Sequence, residues 1–177
     1  MDLVQALRSD QAGETGAVWI YRAMRLFRHD SATVDLIQEH LAQESQHLAE
    51  VNAILPRSKH SLLVPLWAVA GFITGLVPAV MGPNWIKHTI ATVETFVDQH
   101  YLEQIEFLSV YDADLTGITV NNQQQLIDIL KKLRFDEIRH RQDALGDVIV
   151  VPGRALKLWC KLVHAGSKAA VKIAMKF

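Results

Sequence analysis

The chain has 177 residues, 50 % apolar and 21 % charged, which is enough for one domain with a sizeable core and excludes a disordered chain. A single cysteine, Cys160, excludes a disulfide framework and any thiolate-rich metal site within one chain, and points to a reducing compartment. The net charge of −1 hides an asymmetry, because residues 154–177 carry six bases and no acid while the rest carries twelve bases against nineteen acids. An acidic body with a basic tail is not the footprint of a nucleic-acid binder, and no nucleic-acid partner is expected.

Residues 1–4 carry neither a basic flank leading into an apolar signal core nor the start of an Arg/Ser-rich transit segment, so the expectation is a chain that is not exported. Helical periodicity follows at once. Leu3, Leu7, Asp10, Glu14, Ala17, Tyr21 and Met24 step by fours and threes and share one face. Asp30-Ser31 offers an N-cap for a second helix with the stripe Val34, Ile37, Leu41, Glu44, Leu48, Val51 and Leu55, ended by Pro56.

Residues 61–86 then run for 26 positions without a formal charge, long enough to span a bilayer. Pro65, Gly71, Gly75, Pro78, Gly82 and Pro83 interrupt that run, which favours a bent or broken helix. A third stripe (Ile90, Glu94, Val97, Tyr101, Ile105, Leu108) closes near Gly117, and a fourth (Leu126, Leu130, Leu133, Glu137, His140, Ala144) closes at Gly146. Strand signals at 118–120 and 148–151 are short and isolated. The expected class is all-α.

Each of the four stripes puts a glutamate on the face that should be buried: Glu14, Glu44, Glu94 and Glu137. Two carry histidine three residues on, in Glu44-Ser45-Gln46-His47 and Glu137-Ile138-Arg139-His140. One such motif is common on solvated helix faces. Two of them, each preceded by a helix with an in-stripe glutamate, form a repeat that occurs once per half of the chain. Four unpaired carboxylates in an apolar bundle would not persist without compensating cations. One Glu from each of two helices plus Glu-x-x-His from the other two is the ligand set of di-iron and di-manganese carboxylate bundles. The expected metal ligands are therefore Glu14, Glu44, His47, Glu94, Glu137 and His140. Asp10 and Asp98, one turn from the in-stripe glutamates, are either acceptors for ligand histidines or local helix charges. Glu39, His40, Glu103 and Glu106 read as surface, and His29, His60, His88 and His164 as surface or interface residues.

With these residues in hand, the chain resembles the demethoxyubiquinone hydroxylases, di-iron monooxygenases of ubiquinone biosynthesis. The resemblance runs through Asp10-Gln11-Ala12-Gly13-Glu14-Thr15-Gly16-Ala17, Ile20-Tyr21, Glu44-Ser45-Gln46-His47-Leu48, Pro65-Leu66-Trp67, Ala70-Gly71-Phe72, Met81-Gly82, Val93-Glu94, His100-Tyr101 and Phe135-Asp136-Glu137-Ile138-Arg139-His140. The family usually has His where Gln11 stands, a departure that touches no ligand. The resemblance implies a ferritin-like four-helix bundle over residues 1–177, two iron ions per chain, O2 as co-substrate and an external reductant such as NADH. It further implies a polyprenylated demethoxybenzoquinone as substrate, hydroxylated on its ring, and a homo-oligomer or a complex of ubiquinone-biosynthesis proteins. His100 and Tyr101 match a pair implicated in electron transfer or quinone contact. Against that stands a plainer reading, a polar helix residue beside a half-buried tyrosine.

Such a substrate lives in the bilayer, and two features suit that setting. The apolar stretch 61–86 is expected to lie along or dip into one leaflet, because ligands both precede and follow it and a single crossing would separate them. The tail 154–177 interleaves its six bases with Leu156, Leu158, Trp159, Leu162, Val163, Val171, Ile173 and Met175, as an interfacial helix near anionic lipid would. A core helix with a solvated lysine edge is the alternative there. The expected location is peripheral, on the cytoplasmic face of a bacterial inner membrane or the matrix face of the mitochondrial one. Two other functions compete: an iron-storage or peroxide-scavenging ferritin-like protein, and a non-catalytic membrane-associated helical module.

Overall fold

A computed structural model describes residues 1–146 and 151–177. Among these it shows six α-helices and no strand: α1 (Leu3–Met24), α2 (Ser31–Ile54), α3 (Val64–Met81), α4 (Pro83–Val110), α5 (Gln123–Leu145) and α6 (Arg154–Ala174). Local chemistry fixes several starts. Asp2, Asp30 and Asn122 each accept a hydrogen bond from the backbone N–H three residues on, satisfying a donor the helix itself leaves orphaned. Residues 118–120, a weak strand signal, form a loop; Thr119 N–H donates to the Ile54 carbonyl (2.7 Å) and Ile118 and Val120 pack on the core. The signal at 148–151 falls largely outside the described residues, and Val151 is exposed coil.

The four stripes build a ferritin-like bundle from α1, α2, α4 and α5, layered along its axis. One end is apolar, with Leu7, Val51, Leu55, Leu108, Leu126 and Leu130 in contact. The other end is a second apolar cluster that includes Val18, Met24, Ile37, Ile86, Ile90 and Ala144. Along α1 and α4 the order of these layers is reversed, and so it is along α2 and α5, as up-and-down neighbours require. The glutamates and histidines of all four helices form the layer between. Burying a large apolar side chain contributes roughly 1.5–3 kcal/mol, so the two end layers can hold a middle layer that does not stabilise the fold by itself.

Helix α3 is continuous through Gly71, Gly75 and Pro78; the break expected within 61–86 falls instead at Gly82, whose φ of 98° needs glycine, followed by Pro83 at the start of α4. Two of its glycines have a packing role. A Cβ at Gly71 would overlap the Gly16 carbonyl, and one at Gly75 would overlap the Ile20 carbonyl. Helix α3 thus lies backbone-to-backbone on α1. Its outer face leaves Leu66, Val69, Ile73 and Val80 exposed. By length and composition it is the one helix among the described residues that could cross a membrane.

The basic tail is one long helix that docks on the bundle. It buries Leu156, Val163 and Ala174, and Trp159 Nε1 donates to Thr89 Oγ1 (2.9 Å) on α4. Its far end is tied down by Arg8, which donates to the carbonyls of Lys59 (2.8 Å) and Met175 (3.4 Å), and by a Leu62 N–H to Phe177 carbonyl bond. All six bases remain exposed, together with Leu158, Leu162 and Ile173. The tail therefore has the buried edge of a core helix and an outward face that is both apolar and basic.

Candidate metal centre

The middle layer gathers all six residues singled out by their spacing. Glu14 comes from α1, Glu44 and His47 from α2, Glu94 from α4, and Glu137 and His140 from α5; each is at most 3 % exposed. They fall into two groups whose ligand atoms lie within 4.8 Å of one another: Glu14, Glu44, His47 and Glu137, and Glu44, Glu94, Glu137 and His140. Glu44 and Glu137 belong to both. Each divides its carboxylate between the histidines. His47 Nδ1 is 3.1 Å from Glu137 Oε1 and 3.8 Å from Glu44 Oε2, while His140 Nδ1 is 2.9 Å from Glu44 Oε1 and 3.4 Å from Glu137 Oε2. The i, i+3 spacing makes this reachable, since both side chains of each Glu-x-x-His leave one face of one helix.

The atoms are close without being paired. Glu14 Oε2, Glu44 Oε1, both Glu137 oxygens and Nδ1 of both histidines are buried and make no aligned hydrogen bond. Groups left in that state cost several kcal/mol unless something else satisfies them. The titration behaviour shows the same frustration. Burial pushes the Glu14 and Glu94 carboxyls well above their usual range, and the charges of Glu44 and Glu137 push them further. Burial pulls both histidines down, yet the adjoining carboxylates prevail: His47 is pushed up to about 12 and His140 to about 9. Burial pushes the Glu44 carboxyl up, but the two imidazoles that flank it prevail and hold it below its usual range. Without a cation the layer balances only by keeping Glu14 and Glu94 protonated beside two imidazolium ions. Two divalent cations with neutral histidines would balance all four carboxylates in their ionised form, and carboxylate oxygens with imidazole nitrogens suit iron or manganese. The residues present fit a two-metal centre.

A second ring of contacts carries the same twofold repeat. The Tyr101 hydroxyl on α4 donates to Glu14 Oε1 on α1, and the Tyr21 hydroxyl on α1 donates to Glu94 Oε1 on α4 (2.9 Å). Each tyrosine lies seven residues after the glutamate of its own half and serves the other half. The sequence places Tyr21 in the first stripe but assigns it no role, although that equal spacing is the signal for one. His47 Nε2 faces Asp136 Oδ2 (3.2 Å), and His140 Nε2 faces Gln43 Oε1 (3.0 Å). The acceptors for the ligand histidines are therefore Asp136 and Gln43, the residues immediately before Glu137 and Glu44, and not Asp10 or Asp98. Asp98 instead pairs with Arg134 (2.7 Å) and Arg141 (3.0 Å), and Asp10 accepts from Gln104 (2.8 Å).

His40, read from sequence as surface, is 1 % exposed. Its ring stacks on His140 with centroids 4.0 Å apart, and its Nδ1 lies 3.1 Å from the Tyr21 hydroxyl. It sits one turn before Glu44, on the face that is buried, which corrects its reading as a surface residue. Burial and the neighbouring His140 lower its pKa to about 3, which keeps the imidazole neutral. Glu39, Glu103 and Glu106 are exposed as expected. His29 and His60 bond to the carbonyls of Met24 and Leu55, and His164 is exposed; none belongs to either ligand group. Gln11 is buried and donates to Thr15 (3.3 Å) without touching a ligand.

A cavity of about 480 Å³ leads from this layer outward between α1, α3, α4 and α6. Glu14, Glu44, Glu94 and Glu137 face its inner part, and Trp67, Gly71, Val163 and Ala170 are among its apolar walls. His100 and Tyr101 also border it. His100 Nε2 is held 3.0 Å from both Ser9 Oγ and Asp10 Oδ1, with Phe96 stacked nearly parallel to the ring. The two residues are thus not equivalent: Tyr101 touches a glutamate of the centre, while His100 stands one step further along the wall.

The chain is 31 % identical over 176 residues to a rat protein named NADPH-dependent 3-demethoxyubiquinone 3-hydroxylase, mitochondrial, covering 98 % of this chain and 77 % of the rat protein. It is 33 % identical over 171 residues to the 3-demethoxyubiquinol 3-hydroxylase of Rhodospirillum rubrum, covering 95 % and 75 %. It is 28 % identical over 151 residues to the mitochondrial 5-demethoxyubiquinone hydroxylase of Saccharomyces cerevisiae, covering 81 % and 65 %. Residues 1–174, the span that contains all six helices, match the family described as "Ubiquinone biosynthesis protein COQ7", and this chain belongs to that family.

Proposed function

We propose that this chain, as one ferritin-like domain, hydroxylates the ring of a polyprenylated demethoxybenzoquinone or its quinol, using O2 and two irons held by Glu14, Glu44, His47, Glu94, Glu137 and His140. The observation that carries the reading is the division of Glu44 and Glu137 between both histidines, the arrangement expected of bridging ligands, with Glu14 and Glu94 at the two ends. When bound, the irons supply O2 activation. One oxygen atom enters the ring C–H bond and the other leaves as water, with two electrons and one proton drawn from the reduced nicotinamide and the second proton from solvent. NADPH, which the rat relative's name specifies, is the reductant to test first, in place of the NADH suggested by resemblance.

The chain's own residues do the remaining work. The apolar walls of the cavity admit a ring and its prenyl tail and keep water from the centre, and the volume lies in the range of small-molecule sites. Tyr101 holds Glu14 by its hydroxyl. His100, fixed through Nε2 by Ser9 and Asp10, borders the cavity and is proposed to contact the quinone there. An iron store has no use for an apolar cavity ending on its metal ligands. The test is turnover: iron-loaded protein with NADPH, O2 and a short-chain demethoxyquinone should yield the hydroxylated ring. Iron oxidation without any ring product would reject the reading.

The exposed apolar rows of α3 and α6 and the six bases support a peripheral place on an anionic membrane, the cytoplasmic face of a bacterial inner membrane or the mitochondrial matrix face. Neutralising the six bases is expected to weaken sedimentation with anionic vesicles by about tenfold or more, with metal content unchanged. Equal binding of both proteins to neutral and anionic vesicles would count against this surface. Helix α3 is proposed to lie along one leaflet, because both halves of the ligand set must meet on one side. Thiol reporters placed at Arg57 and Lys87 should then be labelled from the same side of sealed vesicles. Labelling from opposite sides would reject the placement.

A further inference from the structure

The two halves of the centre match in their ligands and differ in what stands behind them. Behind His47 is Asp136, a buried carboxylate whose Oδ2 lies 3.2 Å from Nε2. Behind His140 is Gln43, a neutral amide whose Oε1 lies 3.0 Å from Nε2. The same Gln43 oxygen also accepts a bond from Arg139 Nη2 (3.1 Å), so two donors fix which end of the amide faces the histidine. In both halves Nε2–H donates outward and Nδ1 faces the shared carboxylates.

These partners are not interchangeable. A hydrogen bond to an ionised acceptor is about twice as strong as one to a neutral acceptor. Through the ring it makes the other nitrogen a better donor to a cation. Gln43 divides its oxygen between His140 and the Arg139 guanidinium, whose charge is itself met by Glu39 (3.7 Å) and Asp143 (4.0 Å), so the second histidine is backed by a shared neutral acceptor and not by a carboxylate of its own. The tyrosines do not offset the difference, because Tyr101 and Tyr21 each support one terminal glutamate.

We infer that Asp136 and Gln43 act as positioning residues that make the two cation positions unequal: the position bounded by Glu14 and His47 holds its ion more tightly than the one bounded by Glu94 and His140. This rests on the two-metal reading above. Exchange of such partners typically changes metal affinity by about 10–100-fold, which sets the expected size.

The test counts metal and not turnover. Protein loaded anaerobically with Fe(II) is equilibrated against a graded series of chelator, and iron per chain is measured. The wild type should show a plateau near one ion per chain extending over at least about a tenfold range of free chelator. Asp136→Asn keeps the side chain's shape and removes its charge. It should lower the chelator level at which the last ion leaves by about 10–100-fold and erase the plateau. Gln43→Glu places a carboxylate behind His140 and should move the first loss the opposite way, to higher chelator. General loosening cannot produce opposite shifts. If both ions leave the wild type in one step, or both variants shift in the same direction, the inequality is overturned while the two-metal centre stands. If the wild type holds no ion at all, both fall.

Discussion

Glu137→Ala is expected to abolish ring hydroxylation and remove both irons from the chain. Glu137 gives Oε1 to the His47 side and Oε2 to the His140 side, so its loss deprives both positions at once. Thermal unfolding separates this from simple misfolding. In the metal-free protein Glu137 repels the buried Glu14 and Glu94 carboxyls but also attracts His47 and His140, so its removal loses an attraction as well as a repulsion. Metal-stripped Glu137→Ala should still unfold cooperatively, and the iron-loaded wild type should be more stable than either metal-stripped protein. Glu50→Gln changes a glutamate paired at the surface with Lys132, and should keep two irons and normal turnover. Metal analysis, a coupled hydroxylation assay and thermal unfolding together check it; two retained irons in Glu137→Ala would refute the ligand assignment.

Gly71→Ala and Gly75→Ala are expected to destabilise the protein by about 1–3 kcal/mol each, the usual cost of overpacking, because each methyl group would meet the backbone of α1 and not a movable side chain. Displacing α3 also moves one wall of the cavity, so KM for the quinone should rise before iron is lost. Gly13→Ala is the contrast. A Cβ there meets nothing within 4 Å, the residue lies inside α1, and alanine should stabilise by roughly 0.5–1 kcal/mol through helix propensity. Denaturant midpoints at constant slope measure all three. Equal effects at Gly71 and Gly13 would show that α3 is not held backbone-to-backbone.

Much of this molecule was legible in one dimension. Periodicity of 3.6 identified four stripes, and the same stripes that are apolar at Leu7, Leu41, Ile90 and Leu130 carry Glu14, Glu44, Glu94 and Glu137 at mid-length, so charge in a core position was visible without coordinates. The i, i+3 rule did the same for His47 and His140, because a helix fixes which of its own side chains are neighbours. Pro and Gly marked the break after α3, though the break fell at Gly82-Pro83 and Pro78 stayed within the helix.

What lay between helices was not legible, because a helix pattern carries no information about rotation and depth relative to another helix. His40 lies one residue outside the stripe that the sequence shows, and only the approach of His140 and Tyr21 buries it. Asp10 and Asp98 had the right distance along their helices for histidine acceptors, yet Asp136 and Gln43 had the right position across the bundle. The tail's charge pattern suited a membrane surface, while its docking over the cavity depended on Arg8, Thr89 and Leu62, residues remote in sequence. The sequence by itself determined the all-α class and the six candidate ligands, since both follow from spacing along single helices. Only the tertiary structure decided which carboxylates are shared, which residues stand behind the histidines and where the cavity opens, since those depend on distances between chain segments that no local pattern sets.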